Sequence, residues 1–171
     1  DRDVALATAT ETIPEIPSFA PIASASSESV NAGLEVMAMA RRPIALFGSN
    51  SMRMRDPGLL LSFIEHHGLP FCTTTMAKGM IDEDHPLSIG CIERGKRQLQ
   101  RSFLHSSDLI VGVGYDTIEV EYEAWIGDTP LLQIDIEKAD VSASVDVKGE
   151  VIGDLDNSLE QMVATDPTSN V

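Results

Sequence analysis

The sequence has few cysteines, few basic residues and no long apolar run. Cys72 and Cys91 form neither a CxxC pair nor a disulfide framework, so we interpret them as two free cytosolic thiols. The 12 Lys and Arg residues stand against 27 Asp and Glu residues, and a chain with a net charge of −15 repels nucleic-acid backbones. No run of about 18 apolar residues exists, so the sequence predicts no transmembrane helix.

The domain organisation follows from length and composition. The 171 residues, 43% of them apolar, are enough for one domain with a real core. Neither an initiator Met nor a signal-peptide pattern is present, and we expect a chain that opens at Asp1 to be an excised piece of a longer protein. Residues 1–25, rich in Pro, Ala, Ser and Thr, are typical of a linker. We expect residues 26–165 to form the domain and residues 166–171 to be a frayed tail.

Charge is unevenly distributed along the chain. Residues 41–107 carry nine bases and six acids, whereas residues 108–166 carry fifteen acids and two bases. Four cations fall within eight residues of the basic part: Arg94, Lys96, Arg97 and Arg101. This cluster indicates either a solvated helix face or an anion site or subunit contact.

Apolar runs alternate with helical patterns. A short apolar run without alternation predicts a buried strand at 44–47, and further strands are predicted at 69–74, 108–113 and 130–136, with a shorter extended piece at 145–152. Apolar spacing and end signals predict helices over 26–40, 57–67, 94–105 and 117–126, and a last one from Asp154. In the third of these helices we expect Leu99, Phe103 and Leu104 to point inward, and Trp125 to pack in the fourth. Such an order predicts a parallel sheet covered on both faces.

Small, hydroxyl and acidic residues follow the predicted strands. In parallel sheets of this kind, ligands bind outside the carboxyl ends of the strands, where the strand order reverses. The first strand ends in Gly48, Ser49 and Asn50, the second in Thr74, Thr75 and Met76, and the third in Gly112 and Gly114. Glycines after strands also mark simple turns, and threonines are common strand residues. Asp135 ends the fourth strand, where an acid suits either a ribose hydroxyl pair or a loop N-cap.

Several common motifs are missing. The sequence contains no GxGxxG and no Walker motif, which argues against an ordinary dehydrogenase or a P-loop NTPase. The four histidines form no HExxH or HxxxH pattern, so we predict no metal site. His66 and His67 are predicted in a last helical turn, where a protonated ring meets the negative end of the helix dipole. No nucleophile elbow or paired carboxylates indicate a catalytic residue.

Together, these pieces resemble a known family. The segments LPFCTTTMAKGMIDEDHPLSIG, SSDLIVGVG, PLLQIDIEKAD and GEVIGDLDNSLEQM, in this order after ARRP, resemble the central domain of thiamine diphosphate enzymes. The acetolactate synthase group is the most similar, and residues 73–90 are the most specific part. The resemblance implies a three-layer, Rossmann-like α/β fold with a mostly parallel sheet of six strands. Our count gives five, so we expect a short strand to be missing near the third or the fifth.

The resemblance also implies a larger parent enzyme. Intact members have three domains, with the activating glutamate in the first and the motif for the diphosphate and magnesium in the third. The isolated chain is therefore expected to have no catalytic activity and to bind no thiamine diphosphate. The parent would be a cytoplasmic, homo-oligomeric transferase or lyase that acts on 2-oxo acids with thiamine diphosphate and Mg. Its partners would be the N- and C-terminal domains, with neither nucleic acid nor membrane involved.

The central domain of this family binds FAD in some members, an adenine nucleotide such as ADP in others, and nothing in the rest. The positions that match the family pattern are Gly48, Thr74, Thr75, Met76, Gly90, Gly112, Gly114, Asp135 and Asp154. Three departures from the flavin-binding pattern are Ser49-Asn50 in place of glycines, Asp116 in place of an Arg, and Glu93-Arg94-Gly95 after Gly90. They favour a structural domain without a bound cofactor, with FAD or ADP as the alternatives.

Two other functions stay open from the sequence. The chain could be a stand-alone module for FAD or an adenine nucleotide, bound at the strand ends. It could also be an interaction domain whose basic helix, from Arg94 to Arg101, docks on an acidic surface.

Overall fold

The computed structural model describes residues 20–92, 97–116, 119, 127–141, 143 and 145–165. Within these residues the helices are α1 (Ser27–Met39), α2 (Gly58–His67), α3 (Arg97–Ser106) and α4 (Leu155–Ala164). The strands are β1 (Pro43–Phe47), β2 (Phe71–Thr74), β3 (Ser88–Ile92), β4 (Leu109–Val113), β5 (Leu131–Asp135) and β6 (Val147–Ile152). A short 3₁₀ turn (Ser49–Arg53) follows β1.

The six strands form one parallel sheet in the order β3-β2-β1-β4-β5-β6. The chain builds outward from β1 to β3 and then crosses back to place β4 on the other side of β1. These two central strands pair from Pro43 opposite Leu109 to Phe47 opposite Val113. The reversal creates a switch point outside the carboxyl ends of β1 and β4, where open α/β sheets hold their ligands.

Both faces of the sheet are buried, as the uninterrupted apolar strands predict. Ala45 and Phe47 of β1 belong to one core cluster, which also contains apolar residues of α1, α2 and α4. Ile44 and Leu46 point to the opposite face and share a second cluster with Leu104 of α3. Because successive side chains of a strand point to opposite faces, one strand supplies both cores. The three-layer architecture is confirmed.

The helix ends follow the predicted signals. The hydroxyl of Ser26 accepts a hydrogen bond from the Ser29 N–H at 3.1 Å and begins α1. The carboxylate of Asp154 accepts from the Asn157 N–H at 3.0 Å and begins α4. Gly68 ends α2 with a φ of 63°, a left-handed conformation that favours glycine. These residues therefore set the first turns of α1 and α4 and the last turn of α2.

The strand missing from our count is β3. It lies between the second and third predicted strands, where we predicted no strand, and it pairs with β2 at the edge of the sheet. Gly90 lies inside it with a φ of 96°, and the pairing register shifts between Phe71 and Cys72. A glycine in an edge strand weakens the strand pattern because it supplies no side chain. Neither Cys72 nor the β3 residue Cys91 forms a disulfide bond within the described part of the chain.

The inward face of α3 differs from our prediction. Leu104 is buried, but Leu99 and Phe103 are 61% and 44% exposed, and Gln100 is buried in their place. Leu99 and Phe103, four residues apart, form one stripe of the helix, and it lies about 100° around the axis from the stripe that faces the sheet. Gln100 and Leu104, four residues apart, share the inner stripe. Residues 94–96 and Trp125 lie outside the described residues. Of the helix predicted over 117–126, only Glu119 is described.

His66 and His67 lie in the last turn of α2, but His67 is not the cation that we predicted there. Burial, and then the neighbouring His66, lower the pKa of His67 to about 4. Its ring packs against Phe63, with 5.0 Å between the ring centroids. Its contribution at neutral pH is therefore packing rather than charge.

Among the residues that the structure describes, no helix combines the length and the apolar character needed to span a bilayer.

Candidate functional site

The loop after β1 touches the loop after β4 at the switch point. The Gly48 N–H donates to the Val113 carbonyl, and the Asn50 N–H donates to the Gly114 carbonyl, both at 3.0 Å. A Cβ atom on Gly48 would collide with the backbone of Tyr115, and one on Gly114 would collide with the opposite loop. Gly114 also has a φ of 57°, in the left-handed region. Glycine at both positions allows this contact, which forms the floor of the site.

The carboxylate of Glu119 lies above this floor and accepts three hydrogen bonds. Its Oε1 accepts from the Ser49 N–H at 2.7 Å and from the Asp116 N–H at 3.1 Å, and its Oε2 accepts from the Thr74 hydroxyl at 2.7 Å. These donors come from the loops after β1 and β4 and from the end of β2. Converging backbone N–H groups and hydroxyls are also the donors that bind phosphates. Glu119 therefore fills an anion-binding position with its own carboxylate.

Asp135, at the end of β5, has a second set of donors. Its carboxylate accepts from Asn50 Nδ2 at 3.1 Å, from Gln133 Nε2 at 3.2 Å and from the Ile136 N–H at 2.6 Å. Gln133 Nε2 also donates to the Tyr115 carbonyl at 3.0 Å. Burial raises the pKa of Asp135, although the hydrogen bonds from Ile136 and Asn50 oppose that change. These contacts join the ends of β1, β4 and β5.

The space beside Asp135 is small and acidic. A crevice of about 250 Å³ opens here between the loops that follow β1, β4 and β5. Four of its lining residues carry carboxylates and one an ammonium group: Asp116, Asp135, Glu137, Asp140 and Lys138. The field of such a lining disfavours a phosphate and tolerates hydroxyl groups.

The predicted site residues divide into two groups. The structure brings six of them to the switch point, namely Gly48, Ser49, Asn50, Thr74, Gly114 and Asp135. Thr75 and Met76 lie in the turn after β2, where both are exposed. Gly112 lies inside β4, where an added Cβ would be 3.0 Å from the Gln133 Oε1. Gly90 lies in the edge strand β3, two strands from β1.

Two residues of this site were not predicted from the sequence. Glu119 lies in an acidic stretch of the chain, and nothing in that stretch distinguishes it from its neighbours. Gln133 is a polar residue inside the apolar run of β5, and it is 3% exposed. A buried amide in such a run needs hydrogen-bond partners, so this signal was available.

The basic cluster lies mostly beyond what the structure describes. Arg94 and Lys96 fall outside the described residues, and only the backbone of Arg97 is described. Arg101 is half-buried on α3. An anion site or subunit contact at this cluster therefore stays a prediction.

Comparison with known proteins agrees with this fold. The family model described as thiamine pyrophosphate enzyme, central domain, matches residues 30–162, which include all six strands. The chain belongs to this family. The resemblance inferred from the sequence segments is thereby confirmed, and so is the Rossmann-like fold that it implied.

Known relatives are much longer than this central domain. It is 28% identical over 137 residues to a protein of Methanococcus aeolicus named as a probable acetolactate synthase large subunit. That match covers 78% of this chain and 23% of the relative. It is 28% identical over 168 residues to the oxalyl-CoA decarboxylase of Escherichia coli K12, covering 96% of this chain and 28% of the relative. The chain thus spans about a quarter of the length of the curated relatives that it matches.

A solved structure shares the fold. It is the X-ray structure of a protein from Mycobacterium smegmatis described as a thiamin diphosphate-dependent enzyme, with a TM-score of 0.71 and 21% identity. The match covers 91% of this chain and 31% of the other. At this level of identity, the likeness shows the fold alone.

The described residues of this central domain do not fit the cofactor of the family. No group of three or more His, Cys, Asp or Glu side chains among them is arranged to hold a metal ion. Thiamine diphosphate carries a diphosphate, and the anion position at the switch point is already filled by Glu119. We therefore assign no catalytic step to these residues.

Proposed function

We propose that this chain serves as the central domain of a larger thiamine diphosphate-dependent enzyme that acts on 2-oxo acids, as acetolactate synthase does. The family match over residues 30–162 carries this proposal. The share of each relative that the chain covers supports it, because some three quarters of those proteins lie outside the match. In such a parent, other domains would hold thiamine diphosphate and magnesium and supply the catalytic groups.

The role of the domain itself is structural. At the carboxyl ends of the strands, the donors that would face a ligand are engaged with Glu119 and Asp135. The switch point is therefore built as a contact between loops rather than as an open site. A rigid sheet with both faces buried is well suited to hold two other domains at a fixed distance.

The opposite end of the sheet offers a surface for such a contact. A groove of about 1060 Å³ lies at the amino ends of β1, β2 and β3, between the ends of α1 and α2 and the outer side of α3. Leu99 and Phe103 line it, and both are exposed. Because the relatives are several times longer than this chain, we propose that a flanking domain of the same polypeptide covers the groove.

The first experiment identifies the native polypeptide. An antibody raised against this chain is used to isolate the protein from cells, and its mass and its 2-oxo acid chemistry are measured. We expect a polypeptide several times longer than 171 residues that releases CO₂ from pyruvate only with thiamine diphosphate and Mg²⁺. A native polypeptide of this chain's own size, without that activity, would contradict the proposal.

A second experiment tests the groove in that native polypeptide. Leu99→Glu and Phe103→Glu place charges on the surface that we assign to a flanking domain, so both should lower its activity and its thermal stability. Leu61→Glu is the matched control, because Leu61 is an exposed leucine on α2 that does not line the groove. Equal effects of all three substitutions would contradict the assignment of the groove.

A further inference from the structure

We propose that Glu119 is a built-in occupant of the anion position at the switch point, and that removal of its carboxylate creates a binding site for the diphosphate of a nucleotide. This inference goes beyond the proposed function. It concerns the switch point of this chain and holds whether or not a larger parent enzyme is found. It depends on the contacts of Glu119, the burial of its donors and the charges around them.

The donors of Glu119 are assembled by the fold. Ser49 lies 70 residues from Glu119 in the chain and Thr74 lies 45 residues from it, yet both donate to its carboxylate. Thr74 is fully buried, so its hydroxyl depends on a protein acceptor instead of bulk water. A local turn does not produce such an arrangement. It is a preformed set of donors for an anion, and the chain supplies that anion itself.

The carboxylate also lies where a diphosphate would approach the backbone. A Cβ atom on Gly48 would be 2.8 Å from the Glu119 Oε1, so the carboxylate rests against the open face of that glycine. In dinucleotide-binding folds, glycine at the end of the first strand lets a pyrophosphate approach the backbone this closely. Glu119 and a diphosphate therefore cannot occupy this place together.

Electrostatic repulsion, like the lack of space, opposes the binding of a diphosphate at the switch point. A diphosphate at the switch point would meet the carboxylates of Glu119, Asp116 and Asp135. Replacing Glu119 with alanine removes one of these charges and releases three donors at once. Asp135 remains at the end of β5, facing a crevice that tolerates the hydroxyls of a ribose.

Calorimetric titration with ADP and with inorganic pyrophosphate tests this inference. We expect no binding by the unmodified chain at millimolar ligand, and binding of both ligands at least tenfold tighter by Glu119→Ala. Glu119→Gln keeps the volume of the side chain and should gain less than the alanine variant. Glu137→Ala is the matched control, because it removes a carboxylate from the crevice beside Asp135 without releasing the three donors of Glu119.

Four results would overturn the inference. They are binding of ADP by the unmodified chain, a folded Glu119→Ala that gains nothing, an equal gain in Glu137→Ala, and a gain for ADP without one for pyrophosphate. Should the alanine variant fail to fold, amide hydrogen exchange in the unmodified chain replaces it. Slow exchange at Ser49 and Asp116 would support the contacts of Glu119, and rapid exchange at both would overturn them.

Discussion

Glu119 and Thr74 are joined by a 2.7 Å hydrogen bond between the Glu119 Oε2 and the Thr74 Oγ1. Through its other oxygen, Glu119 also binds the backbone after β1 and β4. One carboxylate thus connects the ends of three neighbouring strands at the switch point. In this chain, the place where related folds hold a ligand is part of the internal hydrogen-bond network.

Thr74→Val tests the structural contribution of this hydrogen bond. The change preserves the shape of the side chain but removes the hydroxyl donor, so one carboxylate oxygen of Glu119 loses its hydrogen bond. We expect a loss of about 1–3 kcal/mol in the free energy of unfolding, measured by urea denaturation. Thr73→Val is the control, because the buried Thr73 hydroxyl has no hydrogen-bond partner among the described residues, and its removal should cost close to nothing. Equal losses in the two variants would contradict the assigned role of Thr74.

Gly48→Ala tests the close contact between the loops after β1 and β4. Since the added methyl group would collide with the Tyr115 backbone, the loops must separate, at a cost of roughly 3 kcal/mol. Gly68→Ala is the comparison. Gly68 has a φ of 63° and open space around it, so alanine there costs only about 1–2 kcal/mol of backbone strain. Thermal unfolding of both variants measures the difference, and a Gly68 variant less stable than the Gly48 variant would be inconsistent with this geometry.

Asp156→Ala tests the connection between α4 and the start of α2. The buried Asp156 carboxylate accepts from the Asp56 N–H at 2.7 Å and from the Arg55 N–H at 3.2 Å. Its removal leaves two backbone donors unsatisfied, so we expect a loss of about 1–3 kcal/mol in chemical denaturation. Arg55→Ala removes an exposed cation that pairs with Asp154 at 2.7 Å and with Asp156 at 3.8 Å, and it should cost less than Asp156→Ala because solvent screens exposed ion pairs. The opposite ranking would disprove this account of the α4 contact.

The lowered pKa of His67 predicts that the free energy of unfolding depends on pH. Its folded-state pKa of about 4 lies below the ordinary value of 6.5, so protonation favours the unfolded chain. The contribution of His67 is fully present above pH 6.5 and is lost as the pH falls towards 4. Between pH 7 and 4.5, the unmodified chain should therefore lose more stability than His67→Phe, by less than the full pKa shift implies because solvent screens the half-buried ring. Urea unfolding of both proteins at the two pH values provides the test, and parallel losses would show that His67 does not titrate in this way.

Much of the fold could be predicted because its determinants are local. β1 and β4 are uninterrupted apolar runs, each followed by a glycine, and Ser26 and Asp154 are ordinary helix-capping residues. The edge of the sheet that carries the candidate site could also be predicted, because parallel strands present all their carboxyl ends at one edge.

The rest depends on contacts between distant parts of the chain. β3 is only half-buried and contains Gly90, so its pattern resembles a loop until β2 lies beside it. Packing against the sheet decides which stripe of α3 is buried, and it buries Leu104 while Leu99 stays exposed. Glu119 is one glutamate in an acidic stretch. Its contact with Ser49, 70 residues away, exists only once the strand order is set.

The most direct test of the closed switch point is thermal unfolding of the purified chain with and without ADP, FAD and thiamine diphosphate. A ligand at 100 times its dissociation constant stabilises a protein by about 2.7 kcal/mol, which this measurement detects readily. We predict that the unfolding temperature does not change with any of the three ligands at millimolar concentration. A clear rise with ADP or FAD would show that the crevice binds nucleotides despite Glu119, and it would contradict the account of this domain as a structural unit.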